Sequence, residues 1–139
     1  WFDTIEGMLS HAIYSIPAVK GVEFGLGFAF ADMFGSEAND AFVTDGKKTE
    51  TLTNNNGGIN GGISNGMPII FKTAIKPTPS IYKEQKSVNL ETKENVTFRI
   101  EGRHDPMIVH RAAPVVDAMT ALVILDFMTD RYGYEGGSI

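Results

Sequence analysis

The sequence predicts an α+β fold in which helices pack on antiparallel sheet. Three observations point to it. Apolar residues recur at helical spacing near the start of the chain, an apolar helical segment runs from Pro114 to Gly133, and between them lie short alternating or β-branched runs separated by Gly, Asn and Pro. The 139 residues fit one domain, 1–139, and a chain of this size buries roughly two thirds of its unfolded surface. With 42% hydrophobic and 21% charged residues it reads as a soluble globular chain, not a disordered one.

The first element is a helix with Ile5, Met8, Leu9, Ala12, Ile13 and Ile16 on one face. Asp3 and Glu6 suggest a capping box, Asp standing in for Ser or Thr. Pro17 ends the helix by restricting Ile16. The stretch VKGVEFGLGF (19–28) alternates apolar and polar residues and predicts a strand, bulged at Gly25 or Gly27. From residue 29 to 48 the reading is irregular, with one short helical turn. MPIIFKTAIK (67–76) is a β-branched, apolar run and predicts a central strand, stopped by the two prolines of KPTPS. KSVNLETKENVTFRIEG predicts a hairpin of SVNL and NVTFRI around a Lys/Glu-rich turn. The last helix has Pro114 in its first turn and Gly133 just past its end. Its middle, AMTALVILDFM, is apolar nearly all round, which predicts burial on several sides. Asp117 and Asp126 within it argue against a membrane span.

Composition excludes several classes of function. There is no cysteine, so neither a disulfide framework nor a thiolate metal site can form. WFDTIEG has no basic start and no apolar core, so it does not read as a secretory leader. The helix starts so near residue 1 that the segment reads as cut from a longer chain. Net charge is −5, distributed as −5 over residues 1–71, +3 over 72–111 and −3 over 112–139. A basic middle in an acidic chain suits a small anion better than nucleic acid, which calls for a broad basic face. Solvated lysines on a strand pair would give the same bias.

Three stretches could carry chemistry. TNNNGGINGGISNG (53–66) holds ten Asn or Gly in fourteen positions. It matches neither the dinucleotide fingerprint nor the Walker A spacing. It is either a surface loop or a backbone surface whose N–H groups meet an anion. In KPTPS, Lys76 brings a charge while Thr78 and Ser80 bring hydroxyls beside the φ-locked Pro77 and Pro79. That makes a stiff polar corner, or simply a strand terminator. EGRHDPMIVHR (101–111) packs two Arg, two His and an Asp. Its arginines can hold a phosphate or carboxylate bidentately. His104, Asp105 and His110 do not have zinc-motif spacing, and no metal is expected. No Ser-His-Asp set or carboxylate pair stands out.

Five blocks together resemble the C-terminal part of the chorismate synthase family: SIPAVKGVEFG (15–25), GSEANDAF (35–42), TNNNGGINGGISNGMPI (53–69), KPTPS (76–80) and GRHDPMIVHRAAPVVDAM (102–119). They stand in the family's order and at similar spacing over almost the whole chain. The resemblance implies a β-α-β sandwich with helices between sheets. It implies an enzyme that converts 5-enolpyruvylshikimate 3-phosphate to chorismate and phosphate by 1,4-anti elimination, with reduced FMN as cofactor and no net redox change. It also implies a cytoplasmic homotetramer. Carried over by motif, flavin contacts fall on Pro17, Ala18, Gly61, Lys76, Pro77, Thr78, Pro79, Ser80 and Arg103. Asp105 matches the aspartate of the family's Arg-x-Asp motif, the implied catalytic group near flavin N5.

Three positions depart from the family pattern. Met107 replaces a small residue, Asp117 a Glu, and Pro17 an Asn found in other members. The family's Gly-Glu-Ser-His-Gly signature with its catalytic histidine, its Arg-Ser-Ser flavin motif, its second catalytic histidine and the arginines that hold substrate do not occur in this sequence. The chain is therefore expected to need the N-terminal half of the same enzyme and to be inactive alone. The alternatives are a stand-alone phosphate- or nucleotide-binding module and an oligomerisation domain.

Overall fold

The computed structural model describes residues 2–105 and 107–134. Trp1, the tail 135–139, and Pro106 of the GRHDPM motif lie outside the described residues. The first helix, α1, spans Ile5–Tyr14, and the Thr4 hydroxyl caps it by accepting from Gly7 N–H at 3.1 Å. Thr4, and not an Asp3–Glu6 box, is the cap because Thr4 is the extended residue whose oxygen reaches the free N–H groups of the first turn. Leu9, Ala12 and Ile13 are buried, as the spacing predicted.

After Pro17 the chain enters β1, Val19–Phe24, which pairs antiparallel with β6, Phe71–Ile75. The register runs from Val19 opposite Ile75 to Phe24 opposite Phe71, and skips one residue between Val19 and Gly21. The irregularity thus sits at Lys20, while Gly25 and Gly27, both at positive φ, end the strand instead of bulging it. A 3-10 turn at Gly27–Asp32 and a short helix α2, Gly35–Ala38, follow. Next come the hairpin β2–β3 (Phe42–Thr44, Thr49–Thr51) and the hairpin β4–β5 (Ile59–Asn60, Ile63–Ser64). The β2–β3 hairpin was not legible because a Gly-Lys-Lys turn and exposed strands carry no apolar alternation.

The hairpin β7–β8 (Gln85–Val88, Asn95–Phe98) forms as expected, in register Gln85 to Phe98. The last helix, α3, spans Val109–Tyr132 and ends at Gly133, whose φ of 73° only glycine adopts without cost. It starts earlier than Pro114, which lies inside it. A proline there leaves one helical carbonyl without its N–H donor, and Val116 and Met119, packed on the core, hold the turns that follow.

All four sheets are two-stranded, so β6 is not a central strand: among the described residues its only partner is β1. The core is where α1 and α3 meet this pair. Ile13, Ile16 and Val19 are buried, and Val22, Phe71, Ile75, Val116 and Met119 pack against them. Full burial of Leu9 and Ile13 contributes about 2 kcal/mol each. α3 departs from the sequence expectation. By length and apolar composition it could cross a membrane, but Val116 and Met119 dock it on the core. None of its residues is fully buried, and Leu122 and Leu125 are each 59% exposed. The architecture is α+β, helices on small antiparallel sheets.

Candidate functional site

The Asn/Gly-rich stretch is ordered by one carboxylate. Asp40 is 5% exposed and accepts from Thr53 Oγ1 at 2.6 Å, Asn55 N at 2.7 Å, Asn56 N at 2.9 Å and Asn56 Nδ2 at 2.8 Å. Burial pushes its carboxyl pKa up, but these hydrogen bonds outweigh burial and hold it below the usual carboxylate range. Asp40 escaped the sequence reading because its donors lie 13 to 16 residues away. The available signal was a Thr-Asn-Asn-Asn run of donors that needs an acceptor.

The glycines of this stretch do two different things. Gly57 and Gly58 are buried at positive φ, and a Cβ on Gly57 would lie 2.5 Å from both Gly25 N and Ile70 O. They let the loop pass against the end of β1 and the lead into β6, where Leu26 N donates to Asn55 O and Ile70 N to Gly57 O. Gly61 forms the β4–β5 turn with Gly62, at φ 57° and 86°, and among the described residues nothing beyond its chain neighbours lies within 4 Å of a Cβ placed on Gly61. Such φ values are those of a two-residue hairpin turn. Within the chain, the close backbone approaches are made by Gly25, Gly57 and Gly58.

At the other end of α1, two of the candidate segments meet. Lys76 N donates to Ala18 O at 2.7 Å, which joins Pro17-Ala18 to the KPTPS corner. Ala18 sits at φ 71°, a left-handed conformation that costs a residue with a Cβ roughly 1 kcal/mol. Ala18→Gly should therefore stabilise the fold by about 0.5–1 kcal/mol in thermal unfolding, and an unchanged or lowered midpoint would contradict the strain. Pro17, Lys76, Pro77 and Pro79 are exposed. The Thr78 hydroxyl is buried with no partner, and Gln85 Nε2 donates to Pro79 O at 2.9 Å.

The third segment, 102–105, lies against Tyr82. The Tyr82 hydroxyl donates to Gly102 O, and its ring meets His104 edge-on at 5.3 Å. His104 Nε2 is buried without a partner among the described residues. Arg103 is exposed, and Asp105 pairs with Arg111 in the first turn of α3 at 2.8 Å. That pair is too exposed to contribute more than about 1 kcal/mol, so it orients the carboxylate more than it stabilises the fold. An open cleft of about 420 Å³ lies between β6 (Phe71, Thr73, Ile75) and α3 (Val109, Ala113, Val116). Among the described residues no three metal-ligating side chains stand together.

The candidate residues therefore fall into three groups, one of them Arg103 and Asp105 on the segment that Tyr82 contacts. Pro17, Ala18 and Lys76–Ser80 meet beyond the C-terminal end of α1. Gly61 sits at its N-terminal end, where the adjoining Gly62 O accepts from Ile5 N at 3.0 Å. Ten helical residues, about 15 Å, separate the two ends. Tyr82 and Asp40, which the sequence reading did not single out, organise the surroundings.

The sequence model described as chorismate synthase matches residues 1–129. The chorismate synthase of Thermococcus gammatolerans is 53% identical over 136 residues, which are 98% of this chain and 38% of that protein. The one from Methanocaldococcus jannaschii is 55% identical over 128 residues, 91% of this chain and 34% of that protein. A crystal structure of chorismate synthase matches with a TM-score of 0.70 and 35% identity, covering 94% of this chain and 31% of that one. The chain thus spans little more than a third of the length of these curated relatives.

Proposed function

The chain belongs to the chorismate synthase family, and from that membership we propose that it supplies the flavin-facing C-terminal part of an enzyme acting on 5-enolpyruvylshikimate 3-phosphate. The reaction is a 1,4-anti elimination that releases phosphate and leaves chorismate. The observation that carries this reading is the Lys76–Ala18 hydrogen bond, which brings two motif segments far apart in sequence to one corner.

The residues at that corner fit FMN. The cofactor is anionic and rich in hydrogen-bonding groups. The corner offers the exposed Lys76 ammonium, the partnerless Thr78 hydroxyl and the Ser80 hydroxyl, with Arg103 on the neighbouring segment. When bound, reduced FMN lends electron density for breaking the allylic C–O bond. Lys76 and Arg103 hold anionic groups, and Ala18 and the prolines fix the backbone around them. Asp105, its carboxylate oriented by Arg111, would hold or move a proton at its Oδ atoms when the cofactor is bound.

The remaining two thirds of a full-length relative would complete the site and bring the groups that hold substrate. Apolar surface supports such a partner: Phe28 is 85% exposed and Phe34 78%. The parent would be a cytoplasmic homotetramer. Incubated alone with reduced FMN and 5-enolpyruvylshikimate 3-phosphate under anaerobic conditions, this chain is expected to form no chorismate above background. Turnover by the isolated chain would refute the partial-site reading.

A further inference from the structure

We propose that Tyr82 is a positioning residue: it clamps the Lys76–Ser80 corner to the Arg103–Asp105 segment, so that both cations address one anion. The inference rests on the reading of these segments as a cofactor site. Tyr82 follows the corner by two residues, yet its side-chain hydrogen bond and ring contacts among the described residues run to residues 99–104. Its hydroxyl donates to Gly102 O, the ring packs edge-on against His104, and the Arg99 guanidinium lies 5.8 Å from the ring centre. Gly102 has φ 140°, a backbone state that side chains rarely adopt, and it immediately precedes Arg103. A hydrogen bond to its carbonyl therefore fixes the direction in which Arg103 leaves the turn. On the other side, Gln85 Nε2 ties Pro79 O to the start of β7, so the corner is held to the same hairpin that presents Arg99.

Core packing alone does not explain Tyr82, which is 54% exposed. Each clamped segment carries a buried polar atom without a partner among the described residues: Thr78 Oγ1 on one and, on the other, His104 Nε2, whose ring Tyr82 meets. Buried polar groups normally find partners. A shared ligand spanning the two segments is one that could satisfy both, with Tyr82 as the strut between them.

The test compares Tyr82→Phe with the unaltered chain, with FMN as the probe, titrated to millimolar concentration by flavin fluorescence. Phenylalanine keeps the ring contact with His104 and removes only the hydroxyl. The expected loss is about fivefold to tenfold in FMN affinity, the scale of one hydrogen bond. It should vanish in the Arg103→Ala background, because a positioning residue has nothing left to position. A merely structural tyrosine would give equal losses in both backgrounds, which would overturn the proposal. A second arm needs no ligand. Amide hydrogen exchange at Arg103, His104 and Asp105 should accelerate in Tyr82→Phe while β7 and β8 stay protected. Unchanged exchange at 103–105 would also overturn it. Should the unaltered chain bind no FMN at all, the cofactor reading fails, and the exchange arm alone decides whether the clamp exists.

Discussion

Asp40→Ala should lower the stability of this chain by about 3 kcal/mol, seen as a drop of roughly 10 °C in the thermal midpoint. The carboxylate gathers four donors from three residues of the 53–56 stretch. Removing it leaves two backbone N–H groups and two side chains without acceptors in a half-buried place, the mechanism behind most large losses outside apolar cores. Asp40→Asn should lose somewhat less, since one amide oxygen can still accept.

The pH dependence has a definite sign. In the folded chain the Asp40 carboxyl lies below its ordinary value, because the hydrogen bonds to Thr53, Asn55 and Asn56 outweigh the burial that would raise it. A depressed carboxyl contributes fully above the unfolded pKa, about 3.9, and its contribution is lost as pH falls through the folded value. Stability should therefore fall below about pH 4 in the native chain, with a shallower fall in Asp40→Asn. Glu23, lowered by its Lys72 hydrogen bond, and Asp45, lowered by the Lys48 and Lys47 N–H groups, act in the same direction. Asp45 is exposed and Glu23 half-buried, and neither changes in Asp40→Asn, so the difference between the native and Asp40→Asn curves isolates the buried group. Equal acid slopes would show that the Asp40 bonds do not hold in solution.

Gly57→Ala should be comparably severe, costing on the order of 3 kcal/mol, while Gly61→Ala costs about 1. Both glycines have left-handed φ, 64° and 57°. The difference lies in what surrounds them. At Gly57 the new methyl would meet Gly25 N and Ile70 O, two backbone atoms already hydrogen-bonded to each other at 2.9 Å. Neither can swing aside as a side chain would, so the link between the loop and the β1–β6 pair must open. At Gly61 only the conformational cost remains, because the space around a Cβ is open. Urea unfolding of the two variants side by side checks this, and an inverted order would contradict the packing described.

The long elements were legible because their signals are local. The Ile5–Ile16 periodicity, the Gly133 stop and the β7–β8 hairpin all rest on spacing within a few residues. Thr4 in place of Asp3 as cap, and Pro114 inside α3 in place of opening it, are shifts at element ends, where competing residues differ by little free energy. The β2–β3 hairpin was hidden because its two strands are only three residues each, too short for an alternation to show. The expected burial of α3 fails on this chain because only one side of the helix meets α1 and β6; the apolar pattern around the rest of it has no partner among the described residues.

The site was legible to a different degree. Motif resemblance picked out Lys76–Ser80 and Arg103–Asp105, and Pro17-Ala18 meets the first of these in space. What joins them is long-range: the bulge at Lys20, the Lys76–Ala18 bond and the Tyr82 contacts arise only once β1 pairs with β6 and the hairpin folds back. The same is true of Asp40, an unremarkable acid in the sequence until the Asn run closes around it.

The most direct measurement is an FMN titration of this chain by flavin fluorescence, repeated with Lys76→Ala and Arg103→Ala. Weak but saturable binding, reduced about tenfold by each substitution, is the expected result for two charged contacts on one anion. No saturation, or binding indifferent to both changes, would contradict the placement of the cofactor anion at the Lys76 corner.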